Sequence, residues 1–215
     1  MLTIANTQDL FPILKTKLTR QPRCILALSG APGCGKSTLA DQLLAHCQEA
    51  GLIAAILPMD GYHLDNALLV ARGLRANKGA PETFDLRGYA AMLYRLRHFN
   101  NIEALVPVFD RAADLSRNAA RTIGPEVQVV ITEGNYLRLD EPGWRDLGAL
   151  FDITLQIDAP MDVLQARLVA RWRSYGLDDA AALERAMRND IPNAQRVEAH
   201  KLASDYYLLN DAPSL

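Results

Sequence analysis

Residues 30–38 read Gly-Ala-Pro-Gly-Cys-Gly-Lys-Ser-Thr, a spacing of glycines before Lys-Ser that can wrap backbone N–H groups around phosphate oxygens. Gly30, Gly33 and Gly35 remove side chains where the backbone must approach an anion, and Ala31, Pro32 and Cys34 fill the turn between them. Lys36 offers a point charge for outer phosphates, and Ser37 offers a hydroxyl that can hold a magnesium ion. Thr38 follows into a helix whose N-terminus adds positive partial charge. The pattern predicts a site for a nucleotide polyphosphate. Cys34, inside that field, is either an oxidisable thiol of lowered pKa or a small residue that fills space.

Three further positions carry suitable chemistry. Asp60 comes just after an apolar run, where a carboxylate can accept the proton of an attacking hydroxyl; Asp60-Gly61 is also a favoured turn dipeptide. Glu133 ends the run Val-Val-Ile-Thr, where an acid can hold the water shell of magnesium. Arg167 and Arg171 are spaced i, i+4 and share a helix face that could close over transferring phosphates, with Arg173 on another face and Gly176 beyond as a hinge. A solvated helix face would look the same.

These groups need strand ends and helix starts to position them. Apolar runs predict strands at 23–28, 52–57, 105–109, 127–132, 151–157 and 206–209. Helical patterns fall at 7–18, 37–50, 64–72, 86–99, 143–147, 161–173, 178–188 and 193–204, and 73–85 is the longest stretch without regular signal. Alternation of the two makes an α/β, doubly wound domain with buried parallel strands. Ligands of such sheets bind beyond the carboxyl ends of the strands, which is where the loop, Asp60 and Glu133 fall.

Composition narrows the class. A chain of 215 residues suits a single domain spanning 1–215, and no repeat or linker divides it. The net charge of -2 shows no basic surplus, which argues against nucleic-acid partners. No run reaches transmembrane length, so no membrane insertion is expected. Three cysteines without paired spacing argue against disulfides and zinc and fit a reducing cytoplasm. A homodimer stays open.

The ordered set GAPGCGKST, MDGYHLDN, NKGAPETFD, PVFD and VVITEG resembles the phosphate-loop kinase family of uridine kinase, phosphoribulokinase and bacterial pantothenate kinase. Within it the chain is most similar to a bacterial group called fructose transport system kinases. The resemblance covers about residues 23–207. It implies a three-layer α/β/α fold with a five-stranded parallel core in the order 2-3-1-4-5, and a helical lid at roughly 167–190 carrying Arg167 and the catalytic Arg171. It also implies ATP and magnesium as cofactors, Asp60 as base, Lys36 and Ser37 on the nucleotide and metal, and Glu133 as the acidic partner.

The same comparison constrains the acceptor. Uridine kinases carry a ribose-gripping carboxylate just ahead of a His-Pro step, where this chain has Lys78-Gly79-Ala80-Pro81, and a base-contacting His where Asp114 stands. Pantothenate kinases bear a His where Arg111 stands. The resemblance therefore points to neither acceptor. Tyr62, His63, Phe84 and Arg111 become the acceptor-pocket candidates, the aromatics as walls and the others for hydroxyls or acid groups. Phe84 equally suits the core, and Asp85 a helix cap.

The reading that covers most of these residues is a kinase moving the γ-phosphoryl group of ATP to a hydroxyl of a small metabolite, a sugar such as fructose being one acceptor. A regulatory ATP-binding subunit of a transport system is an alternative. A GTPase-like switch would use Asp85-Leu86-Arg87-Gly88, but no guanine-reading Asn-Lys-x-Asp follows.

Overall fold

The two runs with least polar alternation, CILALS and VVITEG, lie side by side at the centre of a sheet, and every residue of both is buried. The computed structural model describes residues 2–211. In chain order the elements are β1 (Leu2–Thr3), α1 (Phe11–Leu18), β2 (Cys24–Ser29), α2 (Lys36–Glu49), β3 (Ala54–Pro58), α3 (Asn66–Ala71), α4 (Leu86–His98) and β4 (Ala104–Asp110). There follow β5 (Leu115–Ile123), β6 (Val129–Gly134), β7 (Ile153–Asp158), α5 (Met161–Ser174), α6 (Asp179–Arg185), α7 (Ile191–His200) and β8 (Tyr206–Leu209). No helix among the described residues is long and apolar enough to cross a membrane.

Six strands form one parallel sheet in the order β1-β8-β7-β2-β6-β3. Without β1, the five remaining strands keep the order 2-3-1-4-5, so the sheet is one strand wider than expected. Two residues cannot announce a strand by periodicity, and β1 owes its form to pairing with Tyr206 and Tyr207. The expected strand at 105–109 is present but joins no parallel sheet. It belongs to β4, which pairs antiparallel with β5, a polar and mostly exposed strand without apolar alternation. The ladder shifts register between Val106 and Val108, where Pro107 has no N–H to donate.

Other boundaries move for local reasons. The helix expected at 143–147 is a 3₁₀ segment, Arg145–Leu150, because Gly143 takes the left-handed φ of 83°. The helices expected at 178–188 and 193–204 merge instead through a π turn at Ala186–Asp190, and the wide turn absorbs the donor that Pro192 lacks. Asp85 accepts from the Gly88 N–H at 2.9 Å and so caps α4, which gives the Asp-Leu-Arg-Gly sequence a helix-start role.

Buried polar groups are matched by backbone. Arg23, 5% exposed, donates to the carbonyls of Leu96, Asn100, Gly124 and Val127, so this arginine ties the start of β2 to the carboxyl end of α4 and to the segment between β5 and β6. On α4, Tyr89 bonds the Thr132 hydroxyl, which donates to the Leu57 carbonyl at 2.8 Å and links β6 to β3.

The β4–β5 hairpin seats on the turn Met59–Tyr62, where a Cβ on Gly61 would stand 2.5 Å from the Pro107 carbonyl oxygen. Gly61→Ala is expected to destabilise the fold by about 1–3 kcal/mol, read as a lower urea midpoint at unchanged m-value. Wild-type stability in that variant would show that the hairpin does not pack there.

Candidate active site

Strand register brings the site together. Glu133 on β6 lies opposite Leu28 of β2 and Pro58 of β3, so the loop that leaves β2 and the turn that leaves β3 emerge on either side of it. Gly33 and Gly35 take φ values of 84° and 93°, and a Cβ on Gly35 would stand 2.5 Å from the Asn210 amide nitrogen. That amide donates to the Cys34 carbonyl at 2.8 Å, so the end of β8 holds the loop from outside. The Lys36 ammonium turns inward and donates to the carbonyls of Gly30 and Ala31 at 2.9 Å each. Cys34 is fully buried, and burial raises its thiol pKa against the opposing pull of Lys36, which favours the space-filling alternative over the oxidisable thiol.

A cleft of about 780 Å³ opens over these ends. Pro32, Gly33, Gly35, Lys36, Ser37, Thr38, Arg167 and Arg171 line it on the loop side, and Asp60, His63, Phe84, Arg111 and Glu133 face them. The predicted residues are thus largely brought together, with four exceptions, the first being the buried Gly30 at the end of β2. Ala31 and Cys34 lie beneath the loop surface, and Tyr62 packs behind the wall against Tyr89, ring centroids 5.0 Å apart. The buried Tyr62 hydroxyl has no partner among the described residues.

One hydroxyl–carboxylate contact and one ion pair define the centre. Ser37 donates to Glu133 at 3.3 Å, and Arg111 donates to Asp60 at 3.1 Å. Burial first, and the Asp60 charge second, push the Glu133 carboxyl up to about 7, with Lys36 pulling it down. His63 stacks between Phe84 and Phe109 at 4.1 and 4.6 Å, and burial lowers its pKa. Its Nδ1 lies 2.8 Å from the Asp60 carbonyl, which only accepts, so Nδ1 carries the proton and Nε2 is the acceptor.

Arg167 donates to the carbonyls of Gly33 at 3.2 Å and Asn210 at 3.1 Å. Arg171 lies 3.7 Å from Asp190, which also accepts from Trp172 at 2.6 Å. Sequence reasoning missed a second group around Lys78. Although Lys78 is only 7% exposed, its ammonium donates to the Asn66 side chain at 2.8 Å and to the Asp114 carbonyl and carboxylate at 2.6 and 2.9 Å. Asp114 sits at a left-handed φ of 51° in the β4–β5 turn, a conformation that no pattern signals.

No protein-family model matches the chain. A crystal structure from Silicibacter sp. TM1040, described as a "putative fructose transport system kinase", is 47% identical, with a TM-score of 0.85 over 91% of this chain and 97% of that one. The Escherichia coli K12 protein YggC, itself uncharacterized, is 38% identical over 180 residues, 82% of this chain and 73% of its own. A Schizosaccharomyces pombe protein named "Putative uridine kinase C227.14" is 31% identical over 217 residues, 95% of this chain and 91% of its own. The chain belongs to the phosphate-loop kinase family of uridine kinase, phosphoribulokinase and bacterial pantothenate kinase. In this kinase, then, the glycine-rich loop and the acids opposite it are parts of one site.

A raised carboxyl pKa means that the folded kinase keeps a proton on Glu133 that the unfolded chain has released, so stability falls as pH rises from the ordinary carboxylate range through about 7. Glu133→Gln removes that titration. The melting temperature of the variant minus that of the ligand-free wild type should therefore grow between about pH 5 and about pH 8. A difference that stays constant over that interval would refute the assigned pKa.

Proposed function

We propose that the kinase moves the γ-phosphoryl group of ATP to a hydroxyl of a small metabolite, and that the acceptor is a sugar of the fructose type. The observation that carries this reading is a single cleft with the phosphate loop on one wall and Asp60 on the other. ATP would lie with its phosphates over the N–H groups of the loop and the start of α2. Lys36 would exchange its bonds to Gly30 and Ala31 for the outer phosphates, a short swing from its present place.

Asp60 would accept the proton of the attacking hydroxyl, with Arg111 at 3.1 Å orienting the carboxylate. The residues also fit magnesium. Ser37 and Glu133 present two oxygens 3.3 Å apart, and the raised Glu133 pKa marks a carboxylate short of positive charge. Among the described residues no group of three or more His, Cys, Asp or Glu forms a metal cage. Magnesium suits such a site because it keeps water and phosphate ligands and needs only one or two protein groups. When bound, it would neutralise charge on the transferring phosphates.

Residues 167–190 would act as the lid of a single kinase domain, with Arg171 leaving Asp190 to meet the phosphates and exclude water. Three buried free cysteines suit a cytoplasmic setting. The relative from Silicibacter described as a putative fructose transport system kinase, 47% identical to this chain, supports the sugar reading.

A coupled assay of ADP release with ATP, magnesium and a panel of sugars, nucleosides and vitamins tests the reading. Asp60→Asn should lower kcat by at least about a hundredfold with ATP affinity nearly unchanged, and Lys36→Ala should weaken ATP itself. Undiminished turnover in Asp60→Asn would remove the base from the mechanism.

A further inference from the structure

The lysine at position 78 has no part in the chemistry described so far, and burying it costs free energy. Its side chain is 5% exposed, so the ammonium has given up nearly all of its water. Three bonds replace that water, one to the Asn66 carboxamide oxygen at 2.8 Å and two to the Asp114 carbonyl and carboxylate at 2.6 and 2.9 Å. An ammonium has three donors, so none is left for a substrate. Lys78 lines the cleft, yet its charge is directed at the protein.

Both ends of this side chain are fixed. At the backbone, the Lys78 carbonyl accepts from the buried Asn189 amide at 2.9 Å, and the next residue, Gly79, donates its N–H to the Thr83 hydroxyl at 2.9 Å. From that anchor the side chain passes over the Phe109 ring, with Nζ 5.1 Å from the centroid, and ends on the tip of the β4–β5 hairpin. Lys78 is thus a strut between the segment ahead of α4 and the hairpin tip.

That tip is the turn 111–114, beyond the last ladder pair, Asp110 with Leu115. Asp114 closes it at a left-handed φ of 51°, a conformation that persists only when the surroundings fix it. Arg75 at 2.9 Å and Asn66 at 3.3 Å join Lys78 on the Asp114 carboxylate. Burial would raise that carboxyl, but the bond and charge of Lys78, with Asn66 and Arg75, bring it below its ordinary value. At the other end of the same turn stands Arg111, half-exposed and paired with Asp60 at 3.1 Å. The strands behind the turn have their own attachments, Ser116 to the His63 carbonyl at 3.2 Å and Arg121 to the Ile56 carbonyl at 3.0 Å. These bonds hold the strands, and the Lys78 group holds the turn.

An exposed arginine on a short turn has many ways to leave a carboxylate, and such a pair is worth little by itself. Fixing the turn removes most of those ways. We propose that Lys78 is a positioning residue for phosphoryl transfer: through Asp114 it fixes the turn that sets Arg111 against the Asp60 carboxylate. The inference rests on the reading of Asp60 as the base and adds to it a residue that touches neither substrate. A base misplaced by about 1 Å can cost about a hundredfold in rate, so a strut far from the reacting atoms can matter to kcat.

The test uses the full chain with ATP, magnesium and D-fructose, or whichever sugar, nucleoside or vitamin accelerates ADP release most. Lys78→Met should lower kcat about tenfold or more, with acceptor KM within about threefold and ATP affinity within about twofold of wild type. Asp114→Gly, which suits the left-handed φ but removes the carboxylate, should lower kcat about threefold or more. In an Arg111→Met background the further effect of Lys78→Met should shrink to less than about twofold, because the group it positions is gone. Hydrogen exchange of the ligand-free proteins supplies a readout without an acceptor. In Lys78→Met the amides of 111–115, among them the Ala113 N–H that Asp110 holds at 3.0 Å, should exchange about tenfold faster, while those of β2 and β6 keep the wild-type rate.

Wild-type kcat in Lys78→Met, an equal effect of that substitution with and without Arg111, or unchanged exchange in the turn would each overturn the proposal. Faster exchange in β2 and β6 as well would assign Lys78 to the fold at large and overturn it too. The broader kinase reading fails by a different sign. In that case no sugar, nucleoside or vitamin accelerates ADP release, and Asp60→Asn behaves as wild type.

Discussion

The hydrogen-bond ladder joining β6 to β2 on one side and to β3 on the other is what the rest of the site depends on, because it levels three strand ends. Glu133 is fixed between Leu28 and Pro58 by that register. The phosphate loop leaves β2 and the Asp60 turn leaves β3, so neither can reach its position if the ladder slips by a residue. A slip would also turn each buried side chain of β6 to the opposite face. The full burial of β2 and β6, on both faces, is the energetic reason that it does not.

Electrostatics set by that ladder explains the ligand-free arrangement. Four carboxylates, those of Asp60, Asp114, Glu133 and Asp190, share the cleft with several cations, and they answer one another there. Lys36 turns to its own loop carbonyls, Arg111 to Asp60, Ser37 to Glu133, and Arg171 toward Asp190. Each pairing lowers the free energy of the empty site. Glu133 is the least satisfied member, since one hydroxyl bond does not offset burial beside a second acid.

Much of this was legible in the sequence because local rules govern it. The loop, the strand-end acids and the paired arginines occupy positions defined by spacing, and the apolar runs marked the central strands. The polar hairpin strand β5 escaped because its form comes from pairing with β4, not from its own hydropathy. The group around Lys78 escaped for a similar reason: its members stand at 66, 78 and 114 in the chain and meet only through tertiary contact. Tyr62 follows Asp60 closely enough to look like a pocket residue, yet the 3₁₀ turn points it into the core beside Tyr89.

The contact of Asn210 with the phosphate loop bears on the order of assembly. Its amide reaches the Cys34 carbonyl across 176 residues of chain, and its backbone N–H is fixed by Asp158 at the end of β7. Contacts that span most of a chain close late, because the ends must be brought together before the bond can form. During synthesis the glycine-rich loop emerges well before its outer brace. The phosphate-loop wall of the cleft is therefore completed only after β8 has docked.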